Sequence, residues 1–251
     1  MFNSFVFSML VKTEAIVLHA FRYGENRLIA DIFSRSEGRL SLILNLPATT
    51  KGRNKRQMFQ PLTLLDAELD LRPHSQLQKL RNVRLLMPFH TIPFDPAKTA
   101  ITLFLAEFLY HALKGELRNE PLFVYISSSL EWLDTCTGHY ANFHLVFLMR
   151  LSRFLGFYPN LDDYTPGCCF DLRASVFCSS PPLDHHDFLS PTQATQLQQL
   201  MRMDYPTMHL FRMSHIDRQQ LLSIALTYYR LHLPDFPELH SLEVLQALYA
   251  D

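Results

Sequence analysis

The sequence predicts an α+β chain of two domains, a small five-stranded barrel over residues 1–86 followed by an all-helical domain over 87–251. Three observations predict this. Apolar and polar residues alternate in short runs through the first third of the chain. Three prolines (Pro88, Pro93, Pro96) then interrupt any regular element between Met87 and Pro96, and beyond them apolar residues recur at helical spacing.

The run from Lys12 to Leu46 reads as three strands with turns marked by Gly24 and Gly38. Leu28, Ala30 and Ile32 face one way and Arg27 and Asp31 the other. Leu40, Leu42 and Leu44 repeat the pattern beside Arg39, Ser41 and Asn45. The following segment, PATTKGRNKRQMFQP, is polar and basic without sustained periodicity, and is expected to be an exposed loop. Alternation returns with Leu65, Ala67, Leu69 and Leu71 between Asp66, Glu68 and Asp70, and Arg72-Pro73-His74-Ser75 supplies a turn. Gln76 to Leu86 reads as a fifth strand, although Leu77, Leu80 and Val83 also fit a helical spacing. A meander, a loop and further alternating strands are how a small antiparallel barrel is written.

Asp95-Pro96 provides an N-cap and a first-turn proline for a helix that buries Ile101, Phe104, Leu105, Phe108 and Leu109 and closes at Gly115. A second helix is expected from Asn119-Glu120-Pro121 to about Leu133, and a third from Ala141 to Leu155, stopped by Gly156. From Phe157 to Ser190 the periodicity disappears, which predicts an irregular insertion. Helices resume from Ser190-Pro191 to Met203, from Ser214 to His232 and from His240 to Tyr249. Residues 1–8 are apolar but lack a basic start and a small-residue cleavage site, and the apolar run is too short to span a bilayer. They read as an extension, with Met9 as an alternative start.

With 48% hydrophobic and 19% charged residues among 251, the chain has material for a folded core, and 7 glycines against 15 prolines argue against a glycine-rich phosphate loop. The formal charge of -1 conceals an asymmetry. Through Leu86, 13 Lys and Arg face 7 Asp and Glu, whereas the remainder carries 10 against 17. The barrel end therefore suits a polyanion. Four cysteines, two of them adjacent, form no spaced disulfide framework and fit a reducing cytoplasm.

Lys51, Arg53, Lys55 and Arg56 fall within six residues beside Phe59, and the neighbouring strands add Arg22, Arg27, Arg35 and Arg39. On a small barrel, with Tyr23, Phe33 and Phe59 within reach, these cations are the candidate nucleic-acid-binding residues. Phosphates would pair with them and bases would stack on rings. The plainer reading of an isolated basic run is a solvated loop. Cys168, Cys169 and Cys178 with His185 and His186 form no C-x-x-C pair, and adjacent cysteines do not readily present both sulfurs to one tetrahedral ion. No metal is expected there, and packing of Phe170, Leu172 and Phe177 is expected to hold the segment. Asp162-Asp163 and Asp184 with Asp187 read as solvated acids. No G-x-S-x-G, H-E-x-x-H or dinucleotide fingerprint is present, so no catalytic residue is assigned and no enzyme activity is expected. Arg150 and Arg153, three apart on the third helix, either form a cationic spot for a protein partner or pair with neighbouring acids.

The run from Val11 to Leu44, with Tyr23-Gly24-Glu25-Asn26 at one turn and Glu37-Gly38-Arg39-Leu40 at the next, resembles the amino-terminal domain of the RecO family of bacterial recombination mediators. The similarity continues through Lys51-Gly52, Gln60-Pro61-Leu62, Leu122-Phe123, Asn142-Phe143 and Leu155-Gly156-Phe157-Tyr158-Pro159. The resemblance implies a barrel of the oligonucleotide-binding (OB) type and a cytoplasmic, nucleoid-associated, non-enzymatic DNA-repair protein without cofactor. Such a protein binds single- and double-stranded DNA, anneals complementary strands, and with RecR helps RecA replace single-stranded DNA-binding protein. It also implies that the helical domain accepts the acidic, hydrophobic tail of single-stranded DNA-binding protein, for which Arg150 and Arg153 are the suggested residues. Many members of the family carry a four-cysteine zinc site after the Leu-Gly-Phe-x-Pro stretch. This sequence departs from that pattern, so the insertion at 157–190 is expected to be a degenerate, zinc-ribbon-like remnant. Two other classes stay open: an RNA-binding or ribosome-associated module, and a metal-dependent hydrolase.

Overall fold

β1 (Met9–Arg22) is the longest strand, and it pairs on both sides: with β2 (Arg27–Ser34) from Ala15 onward and with β4 (Leu64–Leu71) up to Ile16. The computed structural model describes residues 8–73 and 75–248; all but Ser8 of the expected extension at residues 1–8, His74 of the expected turn and Tyr249, the expected end of the last helix, lie outside them. β2 continues into β3 (Gly38–Asn45), and β5 (Leu77–Met87) pairs antiparallel with β4 and parallel with β3 through Ser41–Ile43. The five strands thereby close in the order β1-β2-β3-β5-β4. The barrel interior holds Ala15, Val17, Leu28, Ala30, Ile32, Leu42, Leu44, Leu65, Ala67 and Leu69, the inward set that alternation marks out.

Two bulges explain where alternation fails. In β1 the register slips between Val17 and His19, so Leu18 is an extra residue. The strand is then buried on both faces from Ala15 to Leu18, and His19 and Phe21 turn outward. In β5 the register slips between the partners of Glu68 and Leu69, leaving Arg81 unmatched. Leu80 and Val83 therefore both reach the core although three residues apart, which is the source of their helix-like spacing.

The stretch expected to be a loop contains a helix, α1 (Thr50–Gln57). Thr49 caps it by accepting from the Gly52 N–H, and Phe59, directly after it, is buried in the barrel core. Gly52 lies so close to Pro47 that a Cβ there would strike the Pro47 carbonyl oxygen. A helix of two turns with one buried anchor beyond its end has no apolar stripe of its own, so periodicity does not reveal it.

α2 (Pro96–Ala112) starts at the expected cap, where the Asp95 carboxylate accepts from the N–H groups of Ala97 (2.9 Å) and Lys98 (3.2 Å). α3 (Glu120–Thr135) follows. The outer faces of β1 and β2 bury Ile16 and Phe33, the latter with its ring 6.3 Å from Phe123 of α3. The barrel, α2, α3 and Leu239–Leu245 make up one compact unit, Met1–Asp134 with Leu239–Leu245; the other comprises Thr135–Glu238 and Gln246–Asp251.

In the second unit α4 (Phe143–Phe154), α5 (Pro191–Met201) and α6 (His215–His232) form the helical core, with the Tyr229 hydroxyl donating to the Leu148 carbonyl at 2.7 Å. The segment expected to be irregular holds a small sheet of β6 (Cys169–Asp171), β7 (Val176–Cys178) and β8 (Phe188–Leu189), ordered β7-β6-β8. Strands of two or three residues are too short to write a period. Phe170, Leu172 and Phe177 are buried, with Phe170 and Phe177 edge to face at 5.0 Å. α7 (Ser241–Leu248) ends the described chain. Among the described residues no helix is long and apolar enough to cross a membrane.

Candidate nucleic-acid interface

The β2 register sorts the eight candidate cations. Arg27 opens β2 and pairs with Asn45 at the far end of β3, next to the connection into α1, and the Leu46 N–H donates to the Asn26 carbonyl at 2.7 Å. The turn carrying Arg22, Tyr23 and Arg27 therefore sits at the α1 end of the barrel. Arg35 and Arg39 flank the opposite end of β2, about 23 Å away along the strand.

Arg35 and Arg39 are committed to internal contacts. Arg35 binds Glu120 at 2.7 Å and Glu14 at 2.9 Å, and these hydrogen bonds, that of Glu120 foremost, raise its pKa above the ordinary arginine value. Arg39 donates to the Tyr110 carbonyl, stacks over the Tyr110 ring at 4.5 Å and lies 3.9 Å from Asp31; burial lowers its pKa. Between them Gly38 adopts φ +76°, and a Cβ on it would collide with the Leu117 carbonyl carbon. These residues fasten the β2–β3 turn to the connection between α2 and α3.

Three further cations of the barrel are also paired. Lys12 pairs with Glu68 (3.1 Å), Arg81 with Asp70 (2.9 Å) and Arg84 with Asp66 (2.6 Å). At the α1 end Arg22, Arg27, Arg53 and Arg56 are exposed and carry no ion pair among the described residues. Arg27 lies over the exposed Tyr23 ring at 5.1 Å. Lys55 is half-buried, and Lys51 occupies the first turn of α1. Glu25, the acid of that turn, likewise makes no ion pair among the described residues.

Two of the three expected stacking rings are corrected. Phe59 and Phe33 are buried, the first in the barrel core and the second against α3, so neither meets a base. Tyr23 is open, at 48% exposure. Sequence reasoning missed His19, Phe21 and Tyr110, whose rings lie in series at 5.6 and 4.9 Å. The outward turn that the β1 bulge gives to His19 and Phe21 leaves no mark in the residue pattern.

In the second unit Arg150 is exposed and donates to the Met203 carbonyl at 3.0 Å, while Arg153 lies 6.0 Å from the Tyr158 ring. Cys169 and Cys178 are register partners across β6 and β7, all four cysteines are free thiols, and Cys168 and Cys169 are buried. Burial, followed by the neighbouring Cys169, Asp171 and Cys168, pushes the Cys178 thiol up. Among the described residues no group of three or more His, Cys, Asp or Glu is placed to hold a metal ion. The donor set does not fit a four-thiolate zinc centre: Cys168 and Cys169 are adjacent, and the fourth cysteine, Cys136, stands 32 residues before Cys168. Asp187 is paired with Arg173 at 2.6 Å.

A closed five-stranded barrel with a basic end, followed by helices, defines a barrel-and-helix protein whose candidate site is a surplus of positive charge and not a constellation of catalytic groups. The chain belongs to the RecO family. Residues 9–89 match the model for the Recombination protein O N terminal region and 93–243 the model for its C terminal region. It is 50% identical over 242 residues to a protein of Phocaeicola vulgatus and 50% over 241 to one of Bacteroides fragilis, both named DNA repair protein RecO. A Flavobacterium psychrophilum protein of the same name is 32% identical over 243 residues. Each comparison covers 96% of this chain and 100% of the relative.

Proposed function

We propose that this chain is a non-enzymatic mediator of recombinational DNA repair that holds single- and double-stranded DNA on the α1 end of its barrel and anneals complementary strands. With RecR it helps RecA replace single-stranded DNA-binding protein. In this reading residues 1–86 bind the strand, and 87–251 carry protein partners, with Arg150 and Arg153 facing the tail of single-stranded DNA-binding protein. The protein acts in the cytoplasm at the nucleoid. Family membership and the names of the relatives support the repair role. A barrel of the oligonucleotide-binding type is supported by the strand order, the parallel β3–β5 closure and the helix between β3 and β4. The cysteine segment is read as a degenerate, zinc-ribbon-like remnant.

The observation that carries the DNA reading is a cluster of charge: Lys12, Arg81 and Arg84 are each answered by a carboxylate, whereas Arg22, Arg27, Arg53 and Arg56 are exposed at one end with no ion pair among the described residues. Phosphates would take the place of the absent carboxylates and release counterions. Replacing these four arginines by alanine, and measuring single-strand affinity across a salt series, should flatten the slope by about 0.7 for each lost phosphate contact. Replacing Arg35 should leave the slope alone. An unchanged slope in the four-site variant removes this end of the barrel from the DNA site. A matched RNA oligonucleotide as competitor separates DNA from RNA binding, and annealing of strands coated with single-stranded DNA-binding protein tests the mediator step.

A further inference from the structure

Beside the basic end, within the first unit, lies a cleft of about 620 Å³. That volume is ample for a small ligand. One wall is the aromatic series of β1 and α2, in which Phe21 is 5.6 Å from His19, His19 is 4.9 Å from Tyr110, and the Arg39 guanidinium covers Tyr110. The series ends at Phe21, which is 43% exposed. Leu103 of α2 and Val244 of α7, which line the same cleft, are 42% and 55% exposed. The apolar lining is thus left open to an occupant.

The charge of the lining selects the occupant. Arg22 and Arg56 both line the cleft, and neither has an ion pair among the described residues. The carboxylate of the lining, Glu107, is already taken: it accepts from the His240 N–H (3.0 Å), the Ser241 N–H (2.7 Å) and the Ser241 hydroxyl at the start of α7. Burial pushes Glu107 up, but these donors outweigh it and hold the carboxyl below the ordinary range, so it is an anion spent on the protein's own backbone. His111 lines the cleft with its pKa lowered by burial, so the lining there favours the neutral ring.

We infer that the cleft receives one unstacked nucleobase of a single strand, with the flanking phosphates on Arg22 and Arg56; this rests on the strand-binding role proposed for the basic end. An acidic, apolar peptide would also answer two arginines beside an apolar wall. The cations, however, do not stop at the cleft. Arg27 and Arg53 continue the series, as successive phosphates require and a single chain terminus does not. Stacking of a base on exposed rings is tolerant of sequence, which suits binding without base readout.

The test uses the full chain. Val244→Trp fills the cleft from an exposed position and leaves every cation in place, and Phe21→Ala removes the open end of the aromatic wall. Affinity for an oligothymidylate and for a strand of the same length lacking bases is measured by fluorescence anisotropy across salt. Each variant should bind oligothymidylate roughly tenfold more weakly, with its salt slope and its affinity for the baseless strand unchanged. Equal loss on both strands, or no loss with either variant, overturns the cleft while the salt slope still reports the basic end. A wild-type slope near zero overturns the underlying strand-binding reading instead. If thymidine monophosphate competes as well as the oligomer, the cleft is a free-nucleotide site. If an acidic, apolar peptide binds in a way that Val244→Trp abolishes and the oligomer does not displace it, the cleft is a peptide site. Either result overturns the inference.

Discussion

Asp134, at the end of α3, is a heavily hydrogen-bonded buried carboxylate of the first unit, and replacing it tests how that unit is held together. It is 4% exposed and accepts from three consecutive backbone N–H groups: His90 (2.8 Å), Thr91 (2.8 Å) and Ile92 (2.9 Å). Those residues form the proline-rich connection that leads into α2. Lys98, 2% exposed, adds a contact to the Asp134 carbonyl at 3.2 Å and to the Thr91 hydroxyl at 2.7 Å. In Asp134→Ala the Ile92 N–H, which belongs to a buried residue, loses its acceptor, at a cost of about 1–3 kcal/mol. The His90 and Thr91 residues are exposed, so water replaces their acceptor and the loss is about 1 kcal/mol each. The total, about 3–5 kcal/mol, corresponds to a melting temperature lower by roughly 10 °C. Burial pushes the Asp134 carboxyl up, but the His90, Ile92 and Thr91 donors outweigh it and hold it below the ordinary range. A carboxyl with a lowered folded pKa stabilises fully above its unfolded value and loses that contribution as pH falls through the folded value. The wild type should therefore lose stability below about pH 4 more steeply than Asp134→Asn. The single tryptophan, Trp132, lies two residues away, so urea titrations followed by its fluorescence read this unit directly. A midpoint within experimental error of wild type for Asp134→Ala, or identical acid limbs for wild type and Asp134→Asn, would refute the reasoning.

Gly52→Ala changes no charge, yet its Cβ would strike the Pro47 carbonyl oxygen and force α1 out of place; single-strand affinity should fall several-fold, and wild-type affinity in an anisotropy titration would show that the position of α1 does not matter. His144 is buried, and burial with Arg218 nearby draws its pKa down to about 3. Because the unfolded chain binds that proton first, stability should fall as pH drops from about 6.5 toward 3, by about 2 kcal/mol at pH 5. His144→Gln should remove this slope in circular-dichroism titrations, and parallel profiles would count against it. The cysteine segment does not offer a four-thiolate donor set, so a chelator should leave the melting curve of the protein unchanged; one equivalent of zinc per chain by elemental analysis, lost together with stability on chelation, would overturn that reading.

The inward set of the barrel was legible because each strand buries one face against a shared interior, and a period of two survives wherever the ladder is regular. It was illegible at Leu18 and Arg81, where one inserted residue shifts the phase and mimics another pattern. α1 escaped notice because its buried anchor, Phe59, lies beyond its last turn, and β6 to β8 because three residues cannot show a period. Caps were legible where a side chain serves its own neighbours, as at Asp95 and at Ser190, which forms a capping box with Gln193.

The candidate site was legible by half, and the division has one cause. Arg53 and Arg56 belong to a basic run that the sequence shows directly, and with Arg22 and Arg27 they are exposed and carry no ion pair among the described residues, although Glu25 shares their end of the barrel. Arg35 and Arg39 read identically in sequence, but their partners, Glu120 and Tyr110, lie 85 and 71 residues further along. Only the packing of α2 and α3 on the barrel brings them together. Exposed ion pairs such as Lys12–Glu68 add little to stability. Their larger effect is on the field: they offset the charge of Lys12, Arg81 and Arg84, while Arg22, Arg27, Arg53 and Arg56 at the α1 end have no ion pair among the described residues. On the proposed reading a polyanion is drawn to that end, an effect that a net charge of -1 conceals and that salt should abolish before it abolishes the fold.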